Sequence, residues 1–185
     1  MVSPRPFPFP LNIGTDICQI SRVYRLLASG RGARFLQRVF TKDERALVPA
    51  DPPSGHPSSS TTKPETSQNG DFQALKKHNP LLWKKATFVA GRFAAKEAAF
   101  KAHPFRRLSF HDITIARRAL VEGKANPNGS GPPVAVIRGE REGDPGQTAM
   151  VSISHDGDYA TAVCVGFEPE TEEGKRARGE DVGVD

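Results

Sequence analysis

The sequence predicts an α+β fold in which a small antiparallel sheet packs against one long helix. Three observations carry that prediction. Residues 11–17 alternate with period two, residues 88–102 are alanine-rich and free of proline, and four more period-two segments follow between residues 110 and 167.

After an N-terminal extension over residues 1–10, Leu11, Ile13, Thr15 and Ile17 point to one side of the first strand. Asn12, Gly14 and Asp16 point to the other, as in a half-buried strand with a polar side. SRVYRLLASGRGARFLQRVF, residues 21–40, is helical in character, interrupted by Gly30 and Gly32, with Ser21 as its cap and five arginines on it. A second short helix starts at Thr41, where TKDE has the form of a capping box. Residues 49–71 are dense in Pro, Ser, Thr and Gly and cannot repay their ordering entropy, so about 49–79 is expected to be a disordered insertion within one domain spanning 11–167. Apolar pattern resumes at Leu81, Leu82 and Trp83, and the best helix of the chain runs from Phe88 to Ala102, ended by Pro104. Strands are expected over Phe110–Ala116, Val134–Arg138, Ala149–Ser154 and Tyr159–Phe167. The stretch before Val134 is a loop, HDGD at 155–158 is a hairpin turn, and residues 168–185 form an acidic flexible tail.

The charge is unevenly spread. The 185 residues carry a net +5, but the last 18 hold a net −4, which leaves +9 on residues 1–167. Such a body favours polyanions: nucleic acid, anionic lipid, a phosphorylated small molecule or an acidic protein. Cys18 and Cys164 have no CxxC spacing for zinc and point to a reducing compartment, cytoplasmic or mitochondrial, rather than to secretion. The longest apolar run, around Tyr159–Gly166, falls far short of the roughly 20 residues of a membrane span. The opening MVSPRPFPFP lacks an apolar leader core, so no cleaved leader and no membrane partner are expected.

Candidate chemistry begins in GRFAAKEAAFKA, residues 91–102. At about 100° per residue Glu97 and Lys101 fall inside the apolar stripe of Ala90, Phe93, Ala94, Ala98 and Phe100. A Glu–Lys pair four apart is ordinarily a solvated contact of about 0.2–0.5 kcal/mol. Here it lies on the face that touches the rest of the protein, so a metal ion, an anion or a partner charge is expected beside it. Asp16, ordinarily a turn or surface residue, becomes informative if it meets Glu97. Two carboxylates then form a hard oxygen site suited to Mg²⁺, and Arg92, Lys96 and Lys101 lie near enough in sequence to bind phosphates on it. In SISHD, His155 stands at a strand exit, where ligand contacts are frequent.

Three ordered stretches, GTDICQI at 14–20, GRFAAKEAAFKA at 91–102 and VSISHDGDYATAVCV at 151–165, resemble the 4'-phosphopantetheinyl transferase superfamily, and more narrowly its holo-acyl-carrier-protein synthase branch. RFLQRVFTKDE at 34–44 and LSFHDITI at 108–115 extend the likeness to roughly residues 11–48 and 81–167. The insertion, and GKANPNGSGPP around Lys124 in place of the family's GKP-type turn, depart from it. The resemblance implies the single-copy form of that fold, a homotrimer with active sites between subunits. The implied reaction is Mg²⁺-dependent transfer of 4'-phosphopantetheine from coenzyme A to a serine of an apo acyl carrier protein, releasing adenosine 3',5'-bisphosphate.

Carried over motif by motif, Asp16 and Glu97 are the metal ligands, and Lys101 stabilises or protonates the leaving phosphate. Arg92, Lys96 and His155 contact the nucleotide's phosphates. The base that accepts the serine proton is a metal-bound water or Glu97. Arg22, Arg31, Arg34, Phe35 and Arg38 fall where the family's docking helix meets the acidic carrier. The competing class is a non-catalytic basic module binding nucleic acid; it explains the arginines but not two carboxylates placed to meet phosphate, and aromatic platforms for bases are scarce.

Overall fold

In chain order the elements of the computed structural model are β1 (Leu11–Gln19), α1 (Ile20–Ala28), α2 (Gly32–Val39), α3 (Lys42–Ala46), α4 (Phe72–His78), α5 (Pro80–Lys101), a 3-10 turn (Phe110–Asp112), β2 (Ile113–Arg117), β3 (Pro133–Ile137), β4 (Gln147–Asp156) and β5 (Tyr159–Phe167). The structure describes residues 9–50, 72–117, 131–141 and 143–167. Nearly all of the expected N-terminal extension, most of the expected insertion, the turn around Lys124 and the acidic tail lie outside the described residues.

Helix α5 is the centre of the molecule. It starts at Pro80, two turns before the sequence-based start, because Pro80 occupies N1 and the Asn79 side chain accepts from the Leu82 N–H at 2.9 Å. Its buried residues are not confined to one stripe, which is the pattern of a helix covered on several faces. On one side Ala86, Ala90, Ala94, Ala98 and Ala102, all fully buried, let it settle closely on the sheet. On the other, Phe93 meets Phe35 and Phe110 at ring separations of 5.8 and 5.7 Å, and Phe100 meets Phe110 edge-on at 5.1 Å. The approach to β1 depends on Gly14, since a Cβ there would lie 1.9 Å from the Ala98 carbonyl oxygen.

The sheet is antiparallel throughout, in the order β1-β5-β4-β3-β2, so β1 and β2 are its two edges. The first strand presents the side opposite to the one its apolar pattern suggests. Gly14 and Cys18 are buried under α5 with Asn12 and Asp16 partly covered beside them, whereas Ile13 and Ile17 are 73% and 64% exposed. The helix needs small residues beneath it, and glycine and cysteine supply them where isoleucine cannot. Met150, 70% exposed, joins Val165 and Ile13 in one row across the outer face.

Four other expectations are corrected. The 21–40 helix is two helices separated at Ser29–Arg31. Ser21 is no cap: it is buried, and the buried Asp158 of the β4–β5 turn receives the Ser21 N–H and hydroxyl, each at 2.7 Å. The end of the expected insertion is ordered as α4, held by Phe72 stacking on Trp83 at 5.9 Å. Residues 110–112 belong to a 3-10 turn and not to β2. The Thr41 capping box is present, with Glu44 closing it.

Candidate active site

At the C-terminal end of α5, beside the β1 edge, Asp16 and Glu97 stand close enough for their charges to interact. Asp16 stands on the helix-facing side of β1, one residue pair beyond Gly14, and its side chain is 18% exposed. The Lys101 ammonium donates to Asp16 Oδ1 at 2.9 Å and to the Thr15 carbonyl at 2.8 Å. Glu97, one turn earlier on the same flank of α5, is half-buried. Burial, and then the neighbouring charge of Asp16, push its proton affinity up, while Lys101 opposes them. Two carboxylates facing one ammonium leave an uncompensated negative charge at a site where water is already partly excluded.

That donor set fits a hard divalent cation. No third His, Cys, Asp or Glu completes a metal-binding group among the described residues. Mg²⁺ characteristically takes one or two protein carboxylates, keeps several waters and accepts substrate phosphate oxygens. Asp16 and Glu97 could hold such an ion.

Arg92 and His155 form a second cluster. Glycine at position 91 admits the imidazole, since a Cβ there would come within 2.7 Å of His155 Nε2. Both residues line a cavity of about 600 Å³ with Trp83, Phe88, Ile115 and Ile153. The Arg92 guanidinium lies 3.6 Å above the Phe88 ring. Burial holds the His155 imidazolium below its ordinary value, with a hydrogen bond to the Thr87 backbone opposing it. An NMR titration of His155 should therefore show a midpoint below the ordinary imidazole value of about 6.5, moving upward when adenosine 3',5'-bisphosphate brings negative charge to the cavity. A midpoint indifferent to the nucleotide would remove His155 from phosphate binding.

The two clusters lie on different flanks of α5. Arg92 and Glu97 are five residues apart, about 140° around the helix. Asp16, Glu97 and Lys101 stand at the β1 edge, whereas the Arg92 cavity is lined by Ile153 and His155 of the central strand β4 and extends to Ile115 and Arg117 on β2.

Lys96 departs from its expected role altogether. It is fully buried, and its ammonium is spent on Glu44 Oε2 at 2.6 Å and on the Val39 and Phe110 carbonyls at 2.9 and 2.8 Å. It ties α2, α3 and the 3-10 turn to α5 and cannot reach a phosphate. Sequence held one half of the signal, since the capping-box Glu44 was visible, but its second task lay 52 residues away. Of the docking residues, Arg22, Arg31, Arg34 and Arg38 are exposed, while Phe35 is half-buried and packs inward on Phe93. Asp158, which pins the start of α1 to the turn following His155, had no sequence signal beyond its place in the hairpin.

Comparison with known proteins shows which family the chain resembles. The family model for the 4'-phosphopantetheinyl transferase superfamily matches residues 12–164. The mitochondrial 4'-phosphopantetheinyl transferase B of Aspergillus fumigatus is 33% identical over 85% of this chain and 94% of its own length. The holo-[acyl-carrier-protein] synthase of Geobacillus kaustophilus is 32% identical over 84% of this chain and 87% of its own. The crystal structure of a Bacillus anthracis holo-(acyl-carrier-protein) synthase in complex with CoA (3',5'-ADP) aligns at 25% identity with a TM-score of 0.48, over 83% of this chain and 93% of that one. With the family model covering most of its length and a relative one-third identical along nearly the whole fold, this chain belongs to the 4'-phosphopantetheinyl transferase superfamily.

Proposed function

We propose that this protein is a holo-acyl-carrier-protein synthase: it transfers 4'-phosphopantetheine from coenzyme A to a serine of an apo acyl carrier protein, with Mg²⁺ held by Asp16 and Glu97, and releases adenosine 3',5'-bisphosphate. The observation that carries this reading is the meeting of Asp16, Glu97 and Lys101 across 85 residues of sequence. The serine oxygen bonds to the phosphorus bearing pantetheine while the bond from that phosphorus to the bridging oxygen breaks. When bound, the ion offsets charge on the diphosphate. Lys101, 53% exposed and held in place by Asp16, is free on its outer side to meet and neutralise the leaving phosphate. Glu97, whose proton affinity is raised, is this chain's own group for accepting the serine proton. Incubating apo carrier proteins with coenzyme A, Mg²⁺ and this protein should add one phosphopantetheinyl group by intact mass; unmodified carriers from fatty acid synthesis, polyketide and organellar systems alike would sink the proposal.

The separation of the two clusters supports an active site shared between copies. The apolar outer face of β1, β5 and β4, centred on Ile13, Ile17 and Met150, supplies a surface for self-association as a homotrimer. Ile17→Asp should shift the light-scattering mass from trimer to monomer and abolish transfer together; a monomer that still turned over would contradict a shared site. Among the described residues no helix is long and apolar enough to cross a membrane. The free, buried Cys18 and Cys164 fit a reducing compartment, cytoplasmic or mitochondrial.

The exposed arginines of α1 and α2 serve the carrier protein in this reading. Arg22 donates to Cys18 Sγ at 3.7 Å, two residues from Asp16, so the basic surface adjoins the carboxylate pair. Reversing charge at Arg34 and Arg38 should raise KM for the carrier protein by roughly tenfold with little change for coenzyme A. Equal effects on both substrates would contradict docking.

A further inference from the structure

We propose that Asp158 caps helix α1 from outside it and thereby fixes the arginine face that meets the carrier protein, as a positioning residue for that substrate. The inference rests on the transferase reading for what α1 meets, while the cap itself is a local matter of hydrogen bonds.

A helix leaves its first N–H groups without partners of its own, and a side chain at the N-cap ordinarily takes one of them. In α1 that position falls to Gln19, which has the extended backbone of a cap but makes no capping bond, and the first turn carries no acidic residue. The partners come from the β4–β5 turn, 137 residues away in sequence. The Asp158 carbonyl accepts the Ile20 N–H at 2.7 Å, and its carboxylate accepts the Ser21 N–H and the Ser21 hydroxyl, each at 2.7 Å. The Gln19 amide donates to the same carboxylate at 2.8 Å. One residue thus supplies both acceptors and negative charge to the positive end of a helix whose own first turn has no acid.

Ser21 is fully buried and Asp158 nearly so. Water cannot replace the carboxylate unless the first turn moves outward, because a buried N–H or hydroxyl without a partner is unfavourable. Val23 and Tyr24 keep the rest of α1 on the core, Tyr24 against Trp83 at a ring separation of 6.2 Å. What moves is therefore the segment that carries Arg22, exposed beside Ser21 and bonded to Cys18 near the carboxylate pair. The hairpin closes without this carboxylate. Asp156 pairs with Tyr159 across Gly157, whose φ is +52°, and His155 pairs with Ala160. Loss of the carboxylate should therefore reach the carrier and leave the coenzyme's contacts in place.

Steady-state kinetics with an apo carrier protein that the wild type modifies tests the proposal. Asp158→Ala should raise KM for the carrier roughly fivefold or more, with kcat and KM for coenzyme A within about twofold of wild type. Gln19→Asp separates capping from any other role. In the Asp158→Ala background it places an acceptor at the helix's own N-cap and should bring the carrier KM back toward wild type, whereas alone it sets a second carboxylate against Asp158 and should raise that KM. Should Asp158→Ala fail to fold, Asp158→Asn, which keeps the shape and loses the charge, should show the same split at smaller size. Equal rises in both KM values, an unchanged carrier KM in a folded Asp158 variant, or an effect of Gln19→Asp with the same sign in both backgrounds would overturn the proposal. A wild type that modifies no carrier would remove the transferase reading and the docking role with it; a wild type that transfers, with variants that lack the split, would remove the docking role alone.

Discussion

Glu97→Ala should lower phosphopantetheine transfer by more than roughly 100-fold while leaving the melting temperature unchanged or slightly raised. The two halves of that result have one cause. Loss of a residue that merely supports a metal ligand lowers affinity or activity by about 10–100-fold, so loss of one of two protein ligands should exceed that range. Stability moves the other way, because Glu97 is held half-buried near Asp16 against both desolvation and like charge, and only Lys101 opposes them. Removing it relieves a strained carboxylate. Asp16→Ala should be as damaging to transfer, and the double variant no worse than either single one, since both acids act as one unit. Glu97→Gln separates charge from shape and should behave like Glu97→Ala. Intact-mass rates across a Mg²⁺ titration, alongside thermal melts, check all of this. A near-normal rate in Glu97→Ala at saturating Mg²⁺ would remove the metal assignment.

The parts of the molecule visible in sequence were those governed by local rules. The Thr41 capping box needs only four consecutive residues, and the hairpin at Gly157 with its positive φ needs only a turn. Glu97 was legible because the helix period sets it on the covered stripe of α5, whereas Asp16 was paired with it by the motif order of the resemblance and not by the strand period. What local rules missed depends on the partner surface. The alternation in β1 defines two faces but not which of them meets α5. That choice was made by Gly14, whose lack of a side chain lets the Ala98 carbonyl approach, and it left Ile13 and Ile17 outside. The start of α5 was placed late because Leu81–Thr87 reads as a mixed segment until Asn79 and Pro80 are seen as its cap. Lys96, one residue from Glu97, points away from the acids, and its acceptors come from three separate segments of the chain.

That last residue gives the other large expected effect, on stability and not on chemistry. Lys96→Met should destabilise the protein by about 3–5 kcal/mol, the range for removing one partner of a buried ion pair, and lower the melting temperature by roughly 6–20 °C at this chain length. The side chains of Lys96 and Glu44 are 0% and 1% exposed, and the carboxylate left behind has little access to water. Glu44 retains two backbone donors, the Ile115 N–H at 2.9 Å and the Thr41 N–H at 2.9 Å, so it stays in place as an uncompensated charge. Burial also holds the Lys96 ammonium below its ordinary proton affinity, with Glu44 as the group that offsets this. Neutralising both partners in Lys96→Met/Glu44→Gln should therefore recover part of the loss, because the amide oxygen can still accept one of those N–H groups while no charge remains buried. In the surviving folded fraction, well below its melting temperature, KM for coenzyme A should match the wild type. A selective rise in that KM with an unshifted melt would mean that the ammonium reaches substrate after all, and would return Lys96 to the phosphate site.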